Sequence, residues 1–298
     1  MKEFTLNMPD GMPLSVALFE AAEPKALIQI IHGAKEHKER YYGMSRFFNE
    51  QGYTVLLSDN RGHGRSVNEA FPLGHMEGVE QLVTDQLHLT HYLKDRAPGK
   101  PLFLYGHSFG TLIARCYLQK HDDEIDKLLM SGAANYLPLS GIGLILGSLF
   151  AAFKGKKGVS PFLERLSGLD GRDISWVVKN ETERKAYQED PYCVGYPYTI
   201  GALRTISQAD HELKQFAHYR CKNPALPVLS LSGEEDPITG GEKGLRDTLA
   251  NLSRIGYQNV RRRVYPGMRH EIHHEHGCEQ VYRDMAAFFE GAEEKGHE

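Results

Sequence analysis

The chain has 298 residues, 41% hydrophobic and 25% charged, an ordinary globular composition that excludes disordered and collagen-like classes. A chain of this size buries about three quarters of its unfolded surface, in one large domain or in two. Thirty-five Lys and Arg face 39 Asp and Glu, a formal charge of -4, and no long single-sign block supplies a footprint for nucleic acid.

In chain order, Met1 to Asn7 lacks the charged start, apolar core and small-residue cleavage site of a signal peptide, so a cytoplasmic protein is expected. Lys2 to Asn7 and Pro13 to Phe19 flank the turn residues Pro9-Asp10-Gly11, which predicts an antiparallel hairpin. Six further apolar runs follow with helical patterns between them: Ala26 to Ile31, Tyr53 to Ser58, Pro101 to Tyr105, Ile125 to Met130, Pro227 to Leu231 and Asn259 to Tyr265. That alternation predicts an α/β protein with a mostly parallel sheet of eight strands, flanked by helices.

Met130 and Pro227 stand 97 positions apart, far more than a crossover helix needs. Residues 134–207 are therefore expected to form an inserted helical cap, or lid, on a core made of 1–133 and 208–298. A cap at the carboxyl edge of the sheet would cover the ligand crevice. It opens with the apolar run Ile142 to Phe153, followed by Lys154, Lys156 and Lys157. Twelve residues fall short of the roughly twenty that span a bilayer, so the run reads as a lid helix. Its apolar side could line an acyl pocket and touch a lipid surface, with Leu144, Leu146 and Phe150 as the candidate contacts.

The four cysteines, Cys116, Cys193, Cys221 and Cys278, lack metal or redox spacing and are expected to be reduced thiols. Asn180-Glu181-Thr182 and Asn251-Leu252-Ser253 match the glycosylation triplet, which has meaning only in a secreted chain.

Gly106-His107-Ser108-Phe109-Gly110 sits between a strand pattern and the helical pattern Thr111 to Lys120, the context that the G-x-S-x-G turn requires. Its glycines allow a sharp turn that exposes the Ser108 hydroxyl, and the following helix aims its N–H groups at the same place. A serine hydroxyl needs a base to take its proton, and the base needs a third group to orient it. The loop Ser131 to Gly141 has no carboxylate, whereas Glu234-Glu235-Asp236-Pro237 has three. Asp236, fixed by the following proline, is the expected orienter, with Glu234 and Glu235 turned to solvent. Of His270, His273, His274, His276 and His297, only His270 falls in the loop after the last strand, and it is the expected base. The others are expected to be exposed polar residues at the start of the last helix.

Two N–H groups are expected to stabilise charge on an attacked carbonyl, that of Phe109 and that of Ala34 in His32-Gly33-Ala34-Lys35-Glu36-His37. His32 itself reads as a structural histidine. His270-Glu271-Ile272-His273-His274 also fits H-E-x-x-H, but that zinc motif needs a helix, and Pro266-Gly267 argues for a loop. No metal is expected. Asp59 to Ser66 contains only G-x-G, and no G-K-[ST] occurs, so it reads as a structural turn and no cofactor is expected.

Taken in order, His32 to Tyr41, Asp59 to Ser66, Gly106 to Gly110 and Arg269-His270-Glu271 resemble the monoacylglycerol lipase and lysophospholipase branch of the α/β-hydrolases over nearly the whole chain. The resemblance implies Ser108, Asp236 and His270 as a triad, Ala34 and Phe109 as oxyanion donors, and a monoacyl lipid ester as substrate. It departs from the family at Lys35, where a small residue is common. A lysophospholipase, a short-chain carboxylesterase and a serine peptidase share fold and triad, and a non-catalytic lipid carrier could keep the fold.

Overall fold

The computed structural model describes residues 1–292, and His297 lies outside the described residues. Eight strands, β1 (Lys2–Asn7), β2 (Pro13–Phe19), β3 (Ala26–Ile31), β4 (Tyr53–Ser58), β5 (Leu102–His107), β6 (Lys127–Ser131), β7 (Pro227–Gly233) and β8 (Asn259–Tyr265), make one sheet in the order β1-β2-β4-β3-β5-β6-β7-β8. The expected hairpin is present: β1 and β2 pair antiparallel, β2 runs antiparallel to β4, and every pair from β4 to β8 is parallel. Pro101 lies just before β5, having no N–H to donate, and gives only its carbonyl to Leu27.

Alternate residues of each central strand face opposite layers. Leu27, Leu104, Leu128 and Val228 pack under α2 (Val79–Arg96) and α3 (Phe109–His121). Ile28, Ile30, Phe103, Tyr105 and Leu229 pack on the other face, against Phe48 of α1 (Tyr42–Glu50) and Val281, Met285 and Phe289 of α9 (Cys278–Glu290). Burial on both faces explains why these strands are continuous apolar runs.

Between β6 and β7 lie α4 (Ser140–Lys154), α5 (Pro161–Ser167), α6 (Glu181–Glu189) and α7 (Ile200–Glu212). α4 sits directly on α7, since a Cβ on Gly143 would come 2.7 Å from Ser207 Oγ and one on Gly147 would come 3.1 Å from Arg204 Cβ. α7 also packs on α2 and α3, so residue 207 falls within a helix that is shared with the core. α8 (Gly241–Ile255) covers the β7–β8 edge. Among the described residues no helix is long and apolar enough to cross a membrane, and all four cysteines are free.

Candidate active site

The carboxyl ends of β3, β5, β6, β7 and β8 converge, the usual place for a ligand in an open α/β sheet. β5 delivers Ser108 at φ 51° and ψ -119°, a left-handed conformation costly for a non-glycine residue. The turn exists because its flanking glycines have no side chain: a Cβ on Gly106 would lie 2.7 Å from Gly110 O, and one on Gly110 would lie 2.2 Å from Ile31 O. Ser108 N–H donates to Ser131 O at 3.0 Å, which ties the apex to the end of β6.

β7 carries Asp236 and β8 carries His270, and the structure brings these two together. His270 Nδ1 lies 2.8 Å from Asp236 Oδ2, with both residues 3% exposed. Ile238 N–H donates to the other Asp236 oxygen at 2.8 Å. Glu234 and Glu235 face solvent, where Glu235 pairs with Lys179. Burial alone would depress the His270 pKa, but the Asp236 carboxylate outweighs it and holds the pKa above 6.5. Its Nε2 is buried and unpaired, so the Nδ1–H tautomer leaves a lone pair free to accept a proton. The ring packs 4.7 Å from the His107 ring and 5.1 Å from Trp176. Glu271 N–H donates to Val177 O at 2.8 Å, so the segment after α5 anchors the histidine loop. Ser108 Oγ and His270 Nε2 are not hydrogen-bonded in this structure, although both lie at the carboxyl edge of the sheet, after β5 and β8.

The loop after β3 lies against the serine: a Cβ on Gly33 would come 3.0 Å from Ser108 Cβ. Glu36 Oε1 accepts the Gly33 N–H at 2.5 Å and the Tyr41 hydroxyl at 2.8 Å. Burial first, then the nearby Glu271 carboxylate, push the Glu36 pKa up to about 7. His32 Nδ1–H donates to Gly33 O at 2.7 Å while its Nε2 accepts the Asn60 N–H at 2.8 Å. Burial lowers the His32 pKa to about 3, so the ring is a neutral strut in the loop. Among the described residues, no acceptor takes the N–H of Ala34 or of Phe109.

The Asp59 to Ser66 turn braces that loop. Asp59 accepts from the N–H groups of Lys38 and Arg65 at 2.8 and 2.9 Å, and Arg61 forks onto Asp85 and Asp10. Gly64, at φ 47°, is required there because a Cβ would strike the Asp59 carboxylate at 2.5 Å.

The residues of the H-E-x-x-H match lie in turns, since α9 begins only at Cys278, and they diverge. His270 goes to Asp236, and His274 Nδ1 lies 3.2 Å from Glu183. His273, expected to be an exposed residue at a helix start, is instead 1% exposed, its ring stacked 5.0 Å from Tyr41. The aromatic shelf formed by Tyr41 and His107 draws it inward. The candidate ligand trio found among the described residues is His37, Asp190 and Cys193, whose ligand atoms lie within 4.8 Å of one another. A 2.8 Å contact between His37 Nε2 and Asp190 already joins two of them.

No sequence pattern marks Tyr198, Glu164 or Trp176, which approach the site only through the fold of the segment between β6 and β7. Lys35, the departure from the family motif, has φ 55°, and its Nζ bonds Glu164 at 3.0 Å.

This sheet order, with a serine apex after β5 and an acid–histidine pair after β7 and β8, defines an α/β-hydrolase. The profile described as serine aminopeptidase S33 matches residues 22–277, and the chain belongs to that family, Hydrolase_4. It is a hydrolase, and several of its relatives are named monoacylglycerol or monoglyceride lipases. It is similar to a monoacylglycerol lipase of Mycolicibacterium smegmatis, 25% identical with 89% of this chain and 88% of that one covered. Phospholipase YtpA of Bacillus subtilis is 26% identical, with 91% and 97% covered. Among solved structures, a thermostable carboxyl esterase from Bacillus coagulans in complex with glycerol has TM-score 0.87 at 24% identity, with 98% of both chains covered.

Proposed function

We propose that the protein is a serine carboxylester hydrolase that cleaves monoacylglycerol-type lipids to fatty acid and glycerol through an acyl-enzyme. The observation that carries this reading is the strained Ser108 apex set beside a buried His270–Asp236 pair. Ser108 Oγ attacks the ester carbonyl as His270 Nε2 takes its proton, and Asp236 holds the Nδ1–H and stabilises the imidazolium. The N–H groups of Ala34 and Phe109 receive the developing oxyanion. His270 then hands the proton to the leaving alkoxide, and water activated by the same nitrogen releases the fatty acid, restoring Ser108.

Residues 134–207 act in this reading as the cap over the crevice. Its exposed apolar side is Ile142, Ile145, Leu149 and Phe153 on α4 and Phe162 on α5, which makes transient contact with a membrane or micelle surface. Leu144, Leu146 and Phe150, the contacts expected from sequence, are half-buried, the last two packed against the core. We place the enzyme in the cytoplasm and at membrane surfaces.

The kinship with phospholipase YtpA favours one second reading, a lysophospholipase. Initial rates on monoacylglycerols of several lengths, a lysophospholipid, a short acetate ester and an aminoacyl amide, with wild type and Ser108→Ala side by side, separate the two readings. The expected result is a Ser108-dependent preference for monoacylglycerol, with turnover at least about a thousandfold lower in the variant. Equal rates for Ser108→Ala on every ester would sink the mechanism.

A further inference from the structure

Three successive peptides of the loop after β3 are each held by a different side chain. Glu36 takes the Gly33 N–H at 2.5 Å, and His32 donates to the Gly33 carbonyl at 2.7 Å. Because a trans peptide points its N–H opposite to its C=O, the His32 bond also aims the Ala34 N–H. The third bond comes from outside the loop: the Tyr198 hydroxyl accepts the Lys35 N–H at 2.7 Å.

Tyr198 is built to do this. It is fully buried, and its own N–H donates to Glu164 Oε1 at 2.9 Å, the same oxygen that takes Lys35 Nζ at 3.0 Å. Its hydroxyl also lies 2.7 Å from His63 Nε2. The direction of that bond follows from the other ring nitrogen, since His63 Nδ1 faces the Arg61 carbonyl at 3.0 Å and must donate to it. The hydroxyl therefore gives its proton to His63 and turns its lone pairs to Lys35. Lys35 needs such a hold, because a lysine at φ 55° is costly.

We propose that Tyr198 is a positioning residue for the oxyanion hole: by holding the Lys35 N–H from the cap side, it fixes the peptide that follows the Ala34 donor and couples the seating of the cap to catalysis. This rests on the reading of Ala34 as an oxyanion donor.

The test uses the full chain, with wild type, Tyr198→Phe and, as a matched control, Tyr196→Phe, whose hydroxyl is buried in the same cage but makes no bond to the loop after β3. The readouts are kcat and KM on a soluble p-nitrophenyl ester, and Ki for an alkyl boronic acid, whose tetrahedral adduct places an oxygen in the hole. Tyr198→Phe is expected to lower kcat by about tenfold to a hundredfold, raise the boronate Ki by a similar factor and leave KM within about threefold. Tyr196→Phe is expected to stay within about twofold of wild type in all three, as befits a hydroxyl that holds no peptide of the loop. A folded Tyr198→Phe with unchanged kcat and Ki would overturn the proposal, as would an equal loss in Tyr196→Phe. Should Tyr198→Phe not fold, Glu164→Gln, which weakens the hold on both Tyr198 and Lys35, must show the same split between kcat and KM. A wild type without Ser108-dependent turnover would overturn the catalytic reading itself, whereas normal wild-type turnover with an unaffected Tyr198→Phe sinks the positioning role alone.

Discussion

Gly132 lies so close beneath His270 that a Cβ at this position would stand 2.7 Å from the imidazole Cε1 and 2.8 Å from Nδ1. The ring owes its place to a missing side chain at the end of β6 as well as to its bond with Asp236. Gly132 also has φ 54°, which disfavours any other residue. Gly132→Ala is expected to push the imidazole off its line to Ser108 and lower kcat at least about a hundredfold, as misplacement by an ångström does. Thermal melting read beside the kinetics should show a loss of only about 1–3 kcal/mol in stability. An alanine variant with wild-type kcat would show that the ring has room to spare.

The Asp236 carboxylate raises the His270 pKa against the effect of burial, and in the proposed mechanism the ring must be neutral to take the Ser108 proton. The rate is therefore expected to climb with pH through a midpoint above 6.5, the ordinary value. Stability runs the other way: the charged His270–Asp236 pair stabilises the fold below pH 6.5 and that contribution is lost as pH rises through the folded pKa. Asp236→Asn should cost on the order of a ten-thousandfold in kcat and move the imidazole titration, followed by NMR, to lower pH. A titration midpoint unmoved by the substitution would rule out the carboxylate as its cause.

Arg61 is 2% exposed and its guanidinium is shared by Asp85, itself 1% exposed, and Asp10. Burial holds the Asp85 pKa up at about 6 against the pull of Arg61. Arg61→Ala would strand a buried carboxylate and is expected to cost about 3–5 kcal/mol near pH 8 by denaturant titration. The deficit should shrink toward pH 5, because Asp85 is then neutral. A pH-independent loss would trace the effect to packing.

The exposed apolar residues of α4 lie on one side of the helix, with Phe153 88% and Ile145 62% exposed. Replacing Ile142, Ile145 and Leu149 by serine is expected to weaken liposome co-sedimentation and slow hydrolysis of vesicle-borne monoacylglycerol several-fold, with rates on a soluble short ester unchanged. Equal losses on both substrates would mean the helix acts through the fold of the segment between β6 and β7.

Glu36 holds the Gly33 N–H, yet burial and Glu271 keep its pKa near 7. Its folded value exceeds the ordinary 4.5, so the stability tied to its neutral form is complete at low pH and is lost as pH rises through about 7. Glu36→Gln should therefore flatten the fall in melting temperature between about pH 4.5 and pH 7, measured by calorimetry. A wild-type slope in the variant would assign that fall to another group.

The central strands were legible because burial on both sheet faces demands continuous apolar runs, and the edge strands β1 and β8, only partly buried, were legible from the hairpin turn and from chain order. Ser108 was legible too, because a turn that tight tolerates only glycine at positions 106 and 110, which writes itself into the sequence. Asp236 and His270 could be chosen from their loops, since strand order alone puts both at one sheet edge. His273 could not be placed, because its burial depends on Tyr41 and His107, which are distant in sequence, and no periodicity records a stack between loops. The same holds for Tyr198, Glu164 and Trp176. The sequence by itself determined the parallel sheet, the serine turn and the loops that bring Asp236 and His270 to one edge, because backbone sterics and apolar period are local constraints. Only the tertiary structure decided which side of α4 is exposed and which residues between β6 and β7 grip the loop after β3, because contacts between segments more than a hundred residues apart depend on how the intervening helices pack.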